Sequence, residues 1–150
     1  MNDLPQDWRP IAETEGEFAG WKTWRHMDPF EGGAGPFYAR RAEDGKPECA
    51  MRLGRKNMNG AGAVHGGCLA TFADFAAFSI ADKEIAMGGV TVSLSVDYLS
   101  AAKEGALLTA RGDVLKSGRS LIFVRGVIAE DDRPVAGFHA VLKKMGTDKG

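Results

Sequence analysis

The chain has 150 residues, 44% hydrophobic and 26% charged, which describes one soluble globular domain large enough to bury a core. A net charge of −1 gives no reason to expect nucleic acid or an anionic membrane as partner. Cys49 and Cys68 are too few for a disulfide framework, and with three scattered histidines they lack metal-ligand spacing, so no metal and no cofactor are expected. No apolar run reaches the length of a membrane span, and the opening residues lack the regions of a signal peptide. A reduced, cytoplasmic setting is therefore expected.

Residues 1–34 carry all three tryptophans (Trp8, Trp21, Trp24) beside Phe18 and Phe30, too many aromatics for a disordered tail. They read as an arm, with one short helix or strand, that packs on the domain or on a neighbouring subunit. Asp28-Pro29-Phe30-Glu31-Gly32-Gly33 reads as a loop by its Pro and Gly content. Residues 35–150 read as a single domain. Runs 35–41 and 47–53 flank Glu43-Asp44-Gly45-Lys46 and predict a hairpin. A loop over 54–64 contains Asn59 and the basic pair Arg55-Lys56.

The next stretch organises the rest. From Gly66 to Ala81 the only formally charged residue is Asp74, and Phe72, Phe75, Phe78 and Ile80 lie among five alanines. A helix apolar on nearly every face is a buried one. An ionised carboxylate inside it is costly unless it is paired or hydrogen-bonded, so Asp74 needs an explanation. A helix starting at Gly66 or Gly67 leaves its first N–H groups without internal partners, at the positive end of the helix dipole. Two glycines there keep side chains away from those donors. The pattern predicts an oxyanion-type site, with backbone N–H groups aimed at a carbonyl oxygen that gains negative charge. Asp74 follows Gly66 by eight residues, roughly 12 Å at 1.5 Å per residue. One Asp74 cannot act on a carbonyl held at the start of its own helix, so a shared site in a homo-oligomer is expected.

The remainder alternates as antiparallel sheet. In 90–99, Val90, Val92, Leu94, Val96 and Tyr98 are expected on one face, with Thr91, Ser93, Ser95 and Asp97 on the other. Strands over 106–115, 121–128 and 135–145 follow, with turns at Lys116-Ser117-Gly118-Arg119 and Glu130-Asp131-Asp132-Arg133. One buried helix, a hairpin before it and four strands after it make an α+β domain.

Asn59, then His65-Gly66-Gly67, then Asp74 nine residues after His65, resembles the hotdog-fold acyl-CoA thioesterases of the phenylacetic-acid-degradation (PaaI-like) type, over about residues 35–145. The resemblance implies an antiparallel sheet wrapped around a long central helix, in dimers that often pair into tetramers. It implies hydrolysis of an acyl-CoA, or a related acyl thioester, to free acid and thiol. Asp74 would be general base for water or nucleophile on the carbonyl; the Gly66 N–H would hold the thioester oxygen. His65 would position the helix start or the thioester, a general-base role being its alternative. Asn59 would orient the water or the carbonyl, its alternative being an ordinary loop turn. Thr91 would hydrogen-bond the carboxylate or the water, unless it is simply a β-branched strand residue. Gly67, Phe72 and Phe75 would meet the substrate. Lys103, Arg111, Lys116 and Arg119 are candidates for coenzyme A phosphates, and Cys68 reads as structural. A hotdog hydratase or dehydratase and a non-catalytic acyl-CoA-binding module are the rival functions.

Overall fold

The computed structural model describes residues 9–86 and 88–146, so Trp8 lies outside the described residues. Two short strands, β1 (Ile11–Ala12) and β2 (Lys22–Thr23), precede the helix α1 (Pro29–Ala34). A hairpin of β3 (Tyr38–Arg41) and β4 (Pro47–Arg52) leads through a 3-10 turn at Arg55–Asn57 to the helix α2 (Gly66–Ile80). Four long strands close the chain: β5 (Gly89–Tyr98), β6 (Leu107–Ser117), β7 (Leu121–Glu130) and β8 (Arg133–Lys144). All pair antiparallel in one sheet ordered β1-β2-β3-β4-β6-β7-β8-β5.

The sheet curls around α2, which packs on β4, β5, β6, β7 and β8. Cys68, Leu69, Phe72, Ala73, Phe75, Ala76, Ala77 and Ile80 are buried in it. Opposing them are the inward residues of the long strands, among them Leu108, Ile122, Val124, Ile128, Phe138 and Leu142. The remaining stripe of α2, through Ala70, Thr71, Asp74 and Phe78, is only half-buried. The alanines let the sheet approach closely. Gly126 does the same on the strand side: a Cβ there would stand 2.3 Å from Cζ of Phe138.

Among the described residues, the segment before β3 packs on the domain through its aromatic side chains. Phe18 stacks on Tyr38 with ring centroids 4.0 Å apart, and the Arg40 guanidinium lies 4.2 Å from the centroid of Trp21. Trp24 packs edge-on against Phe75 of α2.

Two expectations are corrected here. Residues 28–33 are not a loop. Asp28 caps α1 by accepting the Glu31 N–H at 2.9 Å, and Pro29 opens the helix where its missing N–H costs nothing. The strand at 90–99 does not keep one alternation, because the β5–β8 register slips between Thr91 and Ser93 and leaves Val92 as an extra residue. Leu94 and Val96 pack on the core, but Val90 and Val92 are exposed. Thr91, opposite the buried Leu142, turns onto the helix side. A one-residue insertion exchanges the faces of a strand.

Candidate active site

His65 is in extended backbone and starts α2 as its N-cap, its Nδ1 accepting the Gly67 N–H at 2.8 Å. An accepting Nδ1 places the ring proton on Nε2, so the exposed edge of the imidazole is a donor. The next N–H groups, of Cys68 and Leu69, go to the His65 carbonyl at 2.9 and 3.2 Å. The Gly66 N–H has no acceptor among the described residues. The first turn therefore offers one unspent backbone donor at the positive end of the helix.

Both glycines have steric reasons. A Cβ on Gly66 would stand 3.1 Å from Cζ of Tyr98, whose hydroxyl donates to the Gly66 carbonyl at 2.9 Å. A Cβ on Gly67 would stand 3.0 Å from the His65 Nδ1. Any side chain at either position would push against the groups that shape this turn.

Two turns along α2, Asp74 is half-buried on the open stripe. Thr91 Oγ1 donates to Asp74 Oδ1 at 2.5 Å, a contact created by the bulge at Val92. One carboxylate oxygen is thereby fixed by a neutral donor, and Oδ2 has no hydrogen bond among the described residues. Asp74 opens into a cleft of about 420 Å³ lined by Asp28, Phe30, Glu31, Ala70, Thr71, Asp74 and Leu94. Burial pushes the Glu31 carboxyl up to about 7, and the negative charges of Asp28 and Asp74 add to the shift.

The structure joins Asp74 to Thr91 and His65 to Gly67, with Gly66 alongside. Asn59 sits apart in the preceding loop, where its amide oxygen accepts the N–H groups of Ala61 and Ala63 at 2.9 and 3.1 Å. Phe72 is fully buried and Phe75 nearly so, both packed on Phe37. The cleft is faced by Phe30 and Leu94 instead. The Cys68 thiol is raised by burial and accepts the Asn57 amide at 3.4 Å. Arg111 is held by both oxygens of Asp44 at 2.7 Å, whereas Lys103, Lys116 and Arg119 have no ion pair among the described residues.

Three residues escaped the sequence reading. Glu31 had a visible signal, since Asp-Pro-x-Glu is the start of a capped helix. Tyr98 had a weaker one, a polar-tipped aromatic closing an apolar alternation. Asn57 had none. It is buried, accepts the Gly54 N–H at 2.9 Å and donates to the Ala34 carbonyl at 2.6 Å, tying the end of α1 to the start of α2. No described helix is long and apolar enough to cross a membrane.

Comparison with known proteins puts these features in a family. Residues 61–136 match the family described as Thioesterase superfamily, which is half of the chain. Human acyl-coenzyme A thioesterase 13 is 34% identical over 83 residues, 55% of this chain and 59% of that protein, so the chain spans under two thirds of that relative's length. The crystal structure of the BH2602 protein from Bacillus halodurans with CoA has a TM-score of 0.66 at 26% identity, over 73% of this chain and 74% of that one. The E. coli PaaI protein from the phenylacetic acid degradation operon has a TM-score of 0.64 at 22% identity, over 72% and 82% of the two chains, a likeness of fold. The sheet wrapped around α2 is thus a hotdog fold of the PaaI kind, and the chain belongs to the Thioesterase superfamily.

Proposed function

We propose that the chain is a hydrolase of acyl-CoA thioesters, with Asp74 driving the attack of water and the Gly66 N–H holding the carbonyl oxygen. The observation that carries this reading is one helix with an unspent N–H at its start and a carboxylate fixed by Thr91 two turns on. The name of the human relative and the CoA held by the Bacillus structure favour a coenzyme A thioester.

Gly66 and Asp74 lie too far apart along α2 to meet on one thioester, about 12 Å by helix rise. The site therefore takes its oxyanion donor from one protomer and its carboxylate from another, in dimers that pair into tetramers. The exposed edge of β5 supports such pairing: among the described residues β5 bonds only β8 and ends the sheet, and it exposes Val90, Val92 and Tyr98, with Leu99 just beyond it. An open ten-residue edge carrying exposed apolar side chains is a surface that proteins normally cover.

In the reaction, Asp74 Oδ2 takes a proton from water as the oxygen attacks the thioester carbonyl. The Gly66 N–H stabilises the resulting oxyanion, and the Nε2–H of His65 lies in the same turn as a second donor. Collapse expels the thiolate, which recovers the proton from Asp74. A nucleophilic Asp74 would instead form a mixed anhydride that water then opens. Single-turnover hydrolysis in H2 18O tests this: 18O found in Asp74 identifies an anhydride that water opens at the Asp74 carbonyl.

The test is thiol release from a panel of acyl-CoAs by wild type and Asp74→Asn. A general base contributes about 10²–10⁴-fold, so the variant should lose that much of kcat. No release from the whole panel by a folded wild-type oligomer would remove the hydrolase reading.

A further inference from the structure

The cleft beside Asp74 is chemically one-sided. Of its lining residues, Asp28, Glu31 and Asp74 are carboxylates, Phe30, Ala70 and Leu94 are apolar, Thr71 is a neutral hydroxyl, and none of these described residues is a cation. The Arg25 backbone carbonyl lies against Gly32 of α1, but its guanidinium is on Glu13 at 3.0 Å. The Asp28 carboxylate is engaged in capping α1, whereas the Glu31 carboxylate has neither hydrogen bond nor ion pair among the described residues. Phe30 is 72% exposed and supplies an apolar edge to the same cleft.

Charge decides which end of a substrate enters. Coenzyme A carries three phosphate groups, and an acidic cleft without a cation repels them, so the acyl group is the part that lies beside Glu31. Resting on the hydrolase reading above, we propose that Glu31 is a specificity-determining residue that admits uncharged acyl chains and rejects those ending in a carboxylate. A second anion brought next to an unpaired, half-buried carboxylate loses water without gaining a partner.

This selectivity depends on pH, because the charge on Glu31 comes and goes near neutrality. The charged groups acting on Glu31 are Asp28 from its own turn and Asp74 from α2, both acidic. The Cys49 thiol, the titratable group on β4 that senses Glu31, is pushed up to about 12 by burial and stays neutral. An aliphatic ω-carboxylate remains ionised from pH 6 to 8, with a solution pKa of about 4.3. Only the enzyme's side of the repulsion changes.

The experiment compares kcat/KM for hexanoyl-CoA and adipoyl-CoA, equal in chain length and different by one terminal carboxylate, at pH 6 and pH 8. Wild type should prefer hexanoyl-CoA by at least about tenfold at pH 8, the scale of two unit charges a few ångströms apart at a partly buried site. The preference should shrink at pH 6 and, at pH 8, in Glu31→Gln. Taking the ratio removes any pH effect on Asp74 that both substrates share, and the wild-type profile is informative even if the variant fails to fold. Equal rates for the two substrates, or a preference that neither pH nor Glu31→Gln alters, would overturn the inference while leaving the hydrolase reading intact. Release from neither substrate, while other acyl-CoAs of the panel are cleaved, would overturn the inference alone; release from no member of the panel would remove both.

Discussion

Thr91 shows how much one hydroxyl contributes at this site. It is the only hydrogen-bond donor to the Asp74 carboxylate among the described residues, and it approaches one oxygen alone. A hydrogen bond to a charged group is worth about 1.5–3 kcal/mol, which corresponds to roughly 10–100-fold in rate if it is needed to aim the carboxylate. Thr91→Val keeps the shape and the strand preference and removes the donor. It should lower kcat by that factor, and Thr91→Ser should restore most of it, as read by steady-state thiol release. At Glu31 the same scale gives a stability prediction. Its folded pKa of about 7 lies above the ordinary 4.5, so the folded state holds a proton that the unfolded chain has released. Stability associated with Glu31 is therefore fully present below about pH 4.5 and is lost as pH rises to about 7. Thermal melts at pH 5 and pH 8 should show a smaller fall in Tm for Glu31→Gln than for wild type; an equal fall would sink this account.

Among the elements, α2 and the sheet around it impose opposite demands. The helix needs an apolar surface on the sheet side and an open stripe for Asp74, and the alanines with Phe72, Phe75 and Ile80 provide the first. The sheet needs room for the Phe138 ring, which occupies the space a side chain at residue 126 would fill. Overpacking of this kind costs about 1–3 kcal/mol. Gly126→Ala should therefore lower the free energy of unfolding by that amount in a denaturant titration, and an unchanged midpoint would mean that the ring has somewhere else to go. The bulge in β5 belongs to the same scale. Were β5 regular, with Val92 paired in the ladder, Thr91 would share the outward face of Ser93 and Ser95, and Asp74 would lose its donor.

For the whole molecule, the decisive question is whether one site draws on two chains. If Gly66 of one protomer works with Asp74 of another, Asp74→Asn and Gly66→Val are each inactive alone. A mixed dimer of the two has one site carrying both lesions and one carrying neither. Mixing the variants in equal amounts under exchange should therefore restore about a quarter of wild-type activity, by random pairing in a twofold dimer. No recovery, with exchange confirmed, would place both groups of a site in one chain. A monomer at micromolar concentration by light scattering would say the same.

The sequence alone determined α2, the hairpin before it and the four strands after it, because apolar periodicity and turn residues are local signals. It also marked Asp74 and the Gly66 start of the helix, since an isolated charge and a glycine pair are conspicuous in an apolar run. Only the tertiary structure decided which groups meet. The side of β5 that Thr91 takes depends on a bulge, and no alternation pattern announces an extra residue. That Gly67 is bonded to His65 while the Gly66 N–H has no acceptor among the described residues depends on how an imidazole turns at the first turn of a helix. That Phe72 goes to the core while Phe30 and Glu31 face the cleft depends on where α1 docks, a long-range packing outcome between segments some forty residues apart along the chain.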